Sequence, residues 1–569
     1  MKRHGIPADY ALSLLLTAPF LSGAAFGAGK NPVTMDQYGG LAGSPCPGKA
    51  TGHFRLEKVN KRWVFCTPEG NAFWLLSVYA IDPASGGRVY AARIAQKYRA
   101  GIAEWAQQAV RRMRQWGFNA IGEVSHTRTF PIGTFGSAVG NSEKMPILYV
   151  LNSSLYGMRS GKFKNLNSGV DVTVAPGFYA GLFPDVFDPA FNLFVEENAK
   201  DYGENVFGGL GKLASTPWLI GITTDDSDYL TGFGPGPEGA TSQGKVHPHL
   251  GWIAVVTSPT ESTGNINGTA VAYRNNRMYT KYVLRDFLKA KYHTIAALNA
   301  AWGSDYTTWD SDGGWPKGKG LLDESGRHSW IGTDFDYLSS ANPQVGADLD
   351  QFLGCIAERY FSAYKRSIRT NLPKTLMFSP ATIQAGSRRQ IIEAAGKYAD
   401  AIQASGVPGG PSWPLLRKLY EYSGGKPVFF WEALTTQTDA DLKGQNLNGW
   451  GSNYNKENQR LRGQAYAEEL NNLFNLRGEN GDYFVVGIDW WSWVDSASEN
   501  MNFGLVSMLD NAYDGREAVI AAGKDSWGYP VGGENRNYGD FLTAVTAANR
   551  RVMEALRATL QAKQNGSHK

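Results

Sequence analysis

The chain has 569 residues, which is enough for one large domain or several small ones. Hydrophobic residues make up 42% of it and aromatic residues 12%, so a sizeable core is expected and a disordered chain is excluded. The formal net charge is only +4, and there is no long basic run. The sequence therefore lacks the electrostatic footprint of a nucleic-acid-binding protein.

The first residues have the pattern of a secretory signal. Lys2, Arg3 and His4 form a basic start, an apolar stretch covers residues 11–20, and small residues follow. The apolar stretch is too short to cross a bilayer, and no later run reaches that length. We predict a signal peptide over residues 1–28 and a secreted or periplasmic protein without a membrane span.

The three cysteines point to structure rather than to chemistry. Cys46 and Cys66 flank a short loop and strand, and could form a disulfide in an oxidising compartment or remain two separate buried thiols. Cys355 lies in an apolar helical pattern, which favours a core residue over a nucleophile. No CxxC motif or His-rich cluster suggests zinc, so no metal or cofactor is expected.

Apolar runs typical of strands alternate with helical patterns over most of the chain, which favours α/β architecture. Eight runs are candidate strands: residues 72–80, 118–125, 146–152, 218–224, 375–379, 399–404, 427–431 and 483–490. Amphipathic patterns over about 345–370 and 538–564 predict two long helices. Eight strands in this order predict a (β/α)8 TIM barrel.

The barrel is expected to occupy residues 67–562, after an N-terminal extension over residues 29–66. Its excess length lies mainly between strands four and five, where residues 229–344 are rich in glycine, proline and aromatic residues. Long loops on a barrel usually build its binding cleft. We therefore expect this insertion to line the cleft.

The segment 426–434 (KPVFFWEAL) is an apolar strand that ends on a carboxylate, Glu432. A strand of this composition is typical of a sheet buried on both faces. At the C-terminal face of a barrel, such a Glu would occupy a position where catalytic groups lie. The alternatives are a Glu that is solvated at the strand end or that caps the next helix.

Strand four ends in an acidic segment that contains Asp225, Asp226 and Asp228. Crowded carboxylates disfavour one another's ionised form, which keeps an acid protonated near neutral pH. Glycoside hydrolysis commonly needs two carboxyl groups across the bond that is cleaved. Strands four and seven could supply them, with Asp226 or Asp228 as the acid and Asp225 in contact with the substrate. The alternative is an acidic turn that binds calcium or caps a helix.

Polar residues near the other strand ends are candidates for contacts with sugar hydroxyl groups. Glu123, Ser125 and His126 follow strand two, and His126 is favoured as a hydrogen-bond partner over a general base. His247 and His249 alternate within the insertion and could line the cleft. They could also be two metal ligands, but no third ligand is evident.

Three tryptophans stand within four residues at the end of strand eight, namely Trp490, Trp491 and Trp493. If the segment stays extended, Trp491 and Trp493 share one side and Trp490 takes the other. An indole at a barrel mouth can stack on a pyranose ring. We therefore predict that Trp491 or Trp493 binds sugar.

The order of several segments resembles glycoside hydrolase clan A, and within it the agarase and β-galactosidase relatives. The matching segments are residues 67–80 (TPEGNAFWLLSVYA), 116–122 (WGFNAIG), 183–189 (FPDVFDP), 217–221 (PWLIG), 291–303 (KYHTIAALNAAWG), 426–432 (KPVFFWE) and the strand-eight tryptophans. The resemblance runs from about residue 67 to residue 514. It implies a barrel glycosidase, with Glu432 at the position of the family nucleophile.

The resemblance does not extend to the acid/base residue after strand four. Such relatives place Asp-Asn-Glu after strand four, with the Glu as acid/base, whereas this chain has Asp225, Asp226 and Ser227. Serine cannot protonate a leaving oxygen at neutral pH. Either a neighbouring Asp has taken the role, or cleavage uses another arrangement, or the protein no longer cleaves.

The resemblance thus implies a secreted retaining β-glycosidase that acts on a polysaccharide or oligosaccharide, with galactose-containing glycans favoured by analogy. The alternative is a secreted carbohydrate-binding barrel that has lost catalysis, which Ser227 favours. The sequence gives a carbohydrate as the partner, and leaves sugar identity, linkage and oligomeric state open.

Overall fold

A computed structural model describes residues 33–125, 144–162, 170–173, 184–206, 210–225, 262–266, 269–273, 279–310, 320–321, 343–380, 388–405, 413–433, 436–437, 455–456, 458–495, 502–512, 523–524, 530–531 and 538–561. The strands are β1 (Arg55–Val59), β2 (Arg62–Cys66), β3 (Ala72–Phe73), β4 (Leu75–Val78), β5 (Ala120–Ile121), β6 (Ile147–Val150), β7 (Val170–Thr173), β8 (Leu219–Thr223), β9 (Ser262–Ile266), β10 (Thr269–Tyr273), β11 (Leu376–Phe378), β12 (Ile402–Ser405), β13 (Val428–Ala433), β14 (Thr436–Gln437), β15 (Asn455–Lys456), β16 (Val485–Trp490), β17 (Gly523–Lys524) and β18 (Pro530–Val531). The helices are α1 (Gly87–Lys97), α2 (Ile102–Gln115), α3 (Ser153–Arg159), α4 (Pro189–Glu204), α5 (Tyr279–Tyr292), α6 (Ile295–Trp302), α7 (Pro343–Asn371), α8 (Arg389–Tyr398), α9 (Trp413–Tyr422), α10 (Gln459–Asn475) and α11 (Tyr538–Gln561).

Eight parallel strands form the central sheet, in the order β11-β8-β6-β5-β4-β16-β13-β12. A parallel bridge between Phe378 and Ala401 joins the two ends of this order, so the sheet closes on itself. Each of the eight predicted strand runs overlaps one of these strands, and β12 and β13 extend one and two residues past the predicted ends. The predicted (β/α)8 barrel is confirmed, and the predicted long helices correspond to α7 and α11.

Aromatic rings fill the lower part of the barrel. Phe378 and Phe429 meet with ring centroids 5.1 Å apart, and Phe65 of β2 packs on Phe378 at 6.1 Å. A Cβ at Gly221 would lie 2.3 Å from the Phe378 ring, which explains a glycine in the middle of β8. The hydrophobic core therefore begins inside the barrel and continues outward between strands and helices.

The N-terminal extension packs against the barrel end at which the strands begin. Its strand β1 pairs with β2, and β2 pairs with β3, in a small antiparallel sheet. The Tyr38 ring lies 4.6 Å from Trp218, just before β8. Cys46 and Cys66 form a disulfide, so that prediction is confirmed. This end is the one that stabilises barrels, which leaves the opposite end for ligands.

The helices surround the strands and follow local sequence signals. Asp188 caps α4, accepting a hydrogen bond from the Ala190 N–H at 2.9 Å, and Pro189 follows at the first helical position. Cys355 lies in α7 as predicted, but its side chain is exposed. Its assignment to the core was wrong, because the buried stripe of α7 runs through Phe352 and Ile356 instead.

Part of the insertion is helical and forms α5 and α6. The buried Asp348 of α7 holds these helices. Its carboxylate accepts hydrogen bonds from Lys291 at 2.8 Å, Tyr292 at 2.5 Å and Trp302 at 2.8 Å. The rest of residues 229–344 falls largely outside the described residues, and lining of the cleft stays a prediction. Within the described part of the chain, no helix is long and apolar enough to cross a bilayer.

Candidate active site at the C-terminal ends of the barrel strands

Glu432 lies at the C-terminal end of strand seven, where its backbone belongs to β13. Trp431 pairs with Asp489 of β16, and Ala433 pairs with the next residue, Trp490. Glu432 is therefore an extra residue between two pairs. Irregularities of this kind are common beside active sites, where they redirect a side chain. The backbone position agrees with the predicted place of Glu432, and its catalytic role stays a prediction.

Five other predicted site residues lie outside the described residues: Asp226, Asp228, His126, His247 and His249. Their roles remain predictions. Among the residues that the structure describes, no group of three or more His, Cys, Asp or Glu side chains is placed to hold a metal ion.

Asp225 is fully buried, and its carboxylate faces the helices that surround the barrel. It accepts hydrogen bonds from Tyr360 and Tyr364 of α7, both at 2.5 Å, and from the Ser154 N–H in the first turn of α3 at 3.0 Å. The expected contact of Asp225 with substrate is wrong for this structure. β8 ends at Thr223, so strand alternation no longer sets the direction of Asp225.

Burial raises the pKa of Asp225 to about 6, although its hydrogen bonds from Tyr360, Tyr364 and Ser154 act in the opposite direction. The folded protein therefore holds this proton between pH ~4 and ~6, where the unfolded chain has lost it.

We predict that the stability of the wild-type protein, relative to the Asp225→Asn variant, falls by about 3 kcal/mol as pH rises from ~4 to above 6. The asparagine variant lacks the titrating group, so the difference between the two proteins isolates it. Urea unfolding of both proteins across this pH range measures the effect. Parallel stability curves would contradict the prediction.

Glu123 is fully buried inside the barrel, together with Thr223, Gln403 and Asp489. These four residues come from strands two, four, six and eight, and barrel interiors are filled by such layers from alternate strands. A Cβ on Gly122 would lie 2.1 Å from Asp489 Oδ1, so the glycine makes room for the layer.

Hydrogen bonds connect this polar layer. The Gln403 amide donates to Glu123 at 2.8 Å, Thr223 contacts both Glu123 and Gln403, and the Glu123 N–H donates to Asp489 at 3.1 Å. The expected contact of Glu123 with sugar hydroxyls is wrong for this structure, because the carboxyl group is turned into the barrel. Ser125 is also buried, and accepts a hydrogen bond from the Ile81 N–H at 3.0 Å.

An aromatic cluster formed by Tyr79, Trp431 and Trp491 lies at the ends of strands one, seven and eight, apart from the main core. Trp491 stacks on Tyr79 with centroids 4.6 Å apart, and Trp431 meets both rings edge-on. Trp491 is partly exposed, and the buried indole N–H of Trp431 has no hydrogen-bond partner among the residues that the structure describes. An apolar face with a spare donor suits a sugar ring.

Trp493 is fully buried in the main core, not beside Trp491. Its ring lies 5.9 Å from Trp116, and its N–H donates to the Tyr90 hydroxyl at 2.7 Å. The prediction that Trp491 and Trp493 share one side was wrong, because the strand ends at Trp490 and its alternation ends there too. Trp491 remains the candidate for stacking on sugar.

We predict opposite outcomes for the two tryptophans. Trp491→Ala should weaken oligosaccharide binding by about 1 kcal/mol while the protein stays folded. Trp493→Ala should instead destabilise the protein by about 3–5 kcal/mol, because it empties a packed site. Oligosaccharide titration and urea unfolding of both variants separate these effects. Unchanged binding in a folded Trp491→Ala variant would contradict the stacking role.

The sequence analysis did not identify Tyr79, Trp431, Thr223 or Gln403 as site residues. Tyr79 and Trp431 are aromatic residues near or at the ends of the predicted strand runs 72–80 and 427–431, so the composition of those ends could have identified them. Thr223 and Gln403 carried no local signal. They join Glu123 only because the barrel closes.

The comparisons with known proteins agree with the fold. No family model matches the chain. Beta-agarase B of Vibrio sp. (strain JT0107) is 22% identical over 552 residues, covering 84% of this chain and 48% of the agarase, so the chain spans about half of that relative. A solved exo-beta-agarase has a TM-score of 0.61 at 20% identity, covering 91% of this chain and 67% of its own. A further solved agarase has a TM-score of 0.59 at 17% identity, covering 92% and 68% respectively.

The chain is therefore a (β/α)8 barrel that is similar to agarases in both sequence and fold.

Proposed function

We propose that this protein is a secreted retaining glycoside hydrolase that cleaves β-glycosidic bonds in a galactan of the agarose type. The observation that carries the proposal is the place of Glu432, an extra residue at the end of strand seven in an agarase-like barrel. The neighbouring Tyr79–Trp431–Trp491 cluster supports a carbohydrate ligand. The predicted signal peptide supports secretion.

In the proposed mechanism, the Glu432 carboxylate attacks the anomeric carbon as the glycosidic C–O bond breaks. The leaving oxygen takes a proton from Asp226 or Asp228, with Asp226 preferred because it directly neighbours the family's acid position. Water then gives a proton to that carboxylate and attacks the anomeric carbon, which releases Glu432. Two displacements keep the anomeric configuration.

Asp225 supports this choice of acid by exclusion. Both of its oxygens accept hydrogen bonds beneath the strand end, from two tyrosines and one backbone amide. A carboxyl group in that position does not reach a leaving oxygen. Of the three acidic residues after strand four, Asp226 and Asp228 remain available for the role.

A second candidate function is carbohydrate binding without cleavage. Ser227 stands at the position where clan relatives carry their acid, and it favours this alternative. The aromatic cluster would serve binding equally well. The two functions therefore differ only in whether bonds are broken.

A panel of algal and plant polysaccharides tests both functions. The purified full chain is incubated with agarose, other galactans and non-galactan glucans, and the products are sized and followed by NMR at the anomeric proton. Release of oligosaccharides whose first-formed anomer keeps the β configuration supports the retaining hydrolase. Saturable binding to agarose oligosaccharides without products supports the lapsed barrel, and first-formed α products would contradict retention.

We predict that the acid residue reveals itself through leaving-group dependence. Asn substitution of the true acid, Asp226 or Asp228, should abolish most activity on natural glycosides but spare activated aryl glycosides, which need little protonation. The other Asn variant serves as the matched control. Equal losses on poor and activated substrates in both variants would show that neither residue is the acid.

A further inference from the structure

Glu123, Thr223 and Gln403 form a closed ring of three polar contacts inside the barrel. Glu123 Oε1 contacts Thr223 Oγ1, Thr223 Oγ1 lies 3.0 Å from Gln403 Oε1, and Gln403 Nε2 donates to Glu123 Oε2 at 2.8 Å. All three side chains are fully buried. A ring of this kind permits a count of its hydrogens.

Each of the three contacts needs one hydrogen atom to be a hydrogen bond. The Thr223 hydroxyl has one, and the Gln403 amide nitrogen takes part in one of the three contacts of the ring, so these two residues supply two hydrogens. The third must be carried by the Glu123 carboxyl group. With an ionised Glu123, two acceptor oxygens would face each other in a buried site, which is unfavourable.

The count does not depend on how the Gln403 amide is oriented. If its oxygen and nitrogen exchange places, Gln403 donates to Thr223, Thr223 donates to Glu123, and the contact between Glu123 and the amide oxygen lacks a hydrogen. Glu123 again has to supply it. The neighbouring Asp489, also buried, accepts from the Glu123 N–H at 3.1 Å and adds a second carboxyl group to the same layer.

We propose that Glu123 is a positioning residue held as a neutral carboxylic acid, which ties strand four to strands two and six beneath the cleft. Thr223 is the last residue of β8 and precedes the acidic segment by two residues. The ring therefore fixes the point from which that segment leaves the barrel. The presence of a proton on Glu123 does not depend on the proposed function. Only the expected effect of the ring on turnover rests on the proposed function.

Infrared difference spectroscopy of the full chain tests the proton directly. At pH 7 in D2O, the wild-type spectrum minus that of Glu123→Gln should show the loss of one protonated carboxyl C=O band and no loss of carboxylate bands. The loss of a carboxylate band instead would overturn the proposal. The matched control is Glu469→Gln, because burial raises the pKa of Glu469 to about 8 and gives that residue a protonated band of its own. The Glu123 band should persist in this control.

The stability of Glu123→Gln and one further variant, Thr223→Val, add tests that do not depend on the infrared spectrum of Glu123→Gln. Glutamine has the donor and acceptor pattern of a neutral carboxylic acid, so Glu123→Gln should keep the wild-type urea midpoint, and unfolding of this variant would count against the proposal. Thr223→Val breaks the ring. It should lower the midpoint and shift the Glu123 C=O band to higher frequency, and an unchanged band would also count against the proposal.

Turnover gives the last readout. If the protein cleaves galactan, Thr223→Val should lower kcat by more than it raises KM. The acidic segment after strand four is then no longer held in position, while the aromatic cluster is intact. A change in KM alone would contradict the positioning role. If the protein has no glycosidase activity, the infrared result is unaffected, so failure of the proposed function and failure of this inference are distinguishable.

Discussion

Replacing Glu432 with Gln is expected to lower kcat/KM on agarose oligosaccharides by about a thousandfold or more, with an unchanged melting temperature. Glutamine keeps the shape of the side chain but removes the anionic nucleophile on which the covalent intermediate depends. Steady-state kinetics and thermal unfolding measure the two quantities. The matched control is Glu421→Gln, an exposed position eleven residues earlier in the chain, which should behave as wild type.

The truncation Glu432→Gly sharpens this prediction. It leaves a space beside the anomeric carbon, and added azide can enter it and attack in place of the carboxylate. With an activated aryl β-glycoside, the expected product is the α-glycosyl azide, formed by a single displacement. Near-native turnover of Glu432→Gln, or azide-independent activity of Glu432→Gly, would remove Glu432 from the role of nucleophile.

Asp510→Asn is expected to destabilise the protein by about 3–5 kcal/mol. The fully buried Asp510 carboxylate accepts hydrogen bonds from Arg112 at 3.1 Å, Lys97 at 2.9 Å, Tyr98 at 2.5 Å and Tyr90 at 3.0 Å. Asparagine keeps the size but leaves the buried guanidinium of Arg112 without its counter-charge. Tryptophan-fluorescence unfolding in urea measures the loss.

The control for Asp510→Asn is Glu204→Gln, which breaks an ion pair between Glu204 and Lys212. The Glu204 side chain is 65% exposed and the Lys212 side chain is 52% exposed. Solvent screens such a pair, so the urea midpoint should hardly change. If the two substitutions shift the midpoint equally, the Asp510 cluster contributes no more than a surface contact. Since Tyr90 also binds the Trp493 N–H, the cluster additionally fixes the exit of strand eight.

The sequence was sufficient to predict the barrel because the patterns that indicate its strands and helices are local. A run such as 427–431 is apolar over the length of a strand, and the helical pattern of 345–370 repeats every three to four residues. These periodicities persist whatever the distant contacts are. The Cys46–Cys66 pair is also local, since its two partners flank one short loop, but the sequence left the disulfide as one of two alternatives.

The candidate site was only partly predictable, since local patterns end where strands end. Alternation placed Trp493 beside Trp491, but the chain leaves β16 at Trp490 and carries Trp493 into the core. Likewise, β8 ends at Thr223, and Asp225 turns to the tyrosines of α7. Cys355 shows the same limit on a helix, because adjacent residues of a helix point in different directions: Cys355 is exposed, whereas the next residue, Ile356, is buried.

By itself, the sequence determined the fold class, the order of the barrel strands and the placement of Glu432 at a strand end. Only the tertiary structure brought together Glu123, Thr223 and Gln403, which lie 100 and 180 residues apart along the chain. The physical reason is closure of the barrel. The stagger between strands decides which side chains share a layer, and no local pattern encodes that stagger.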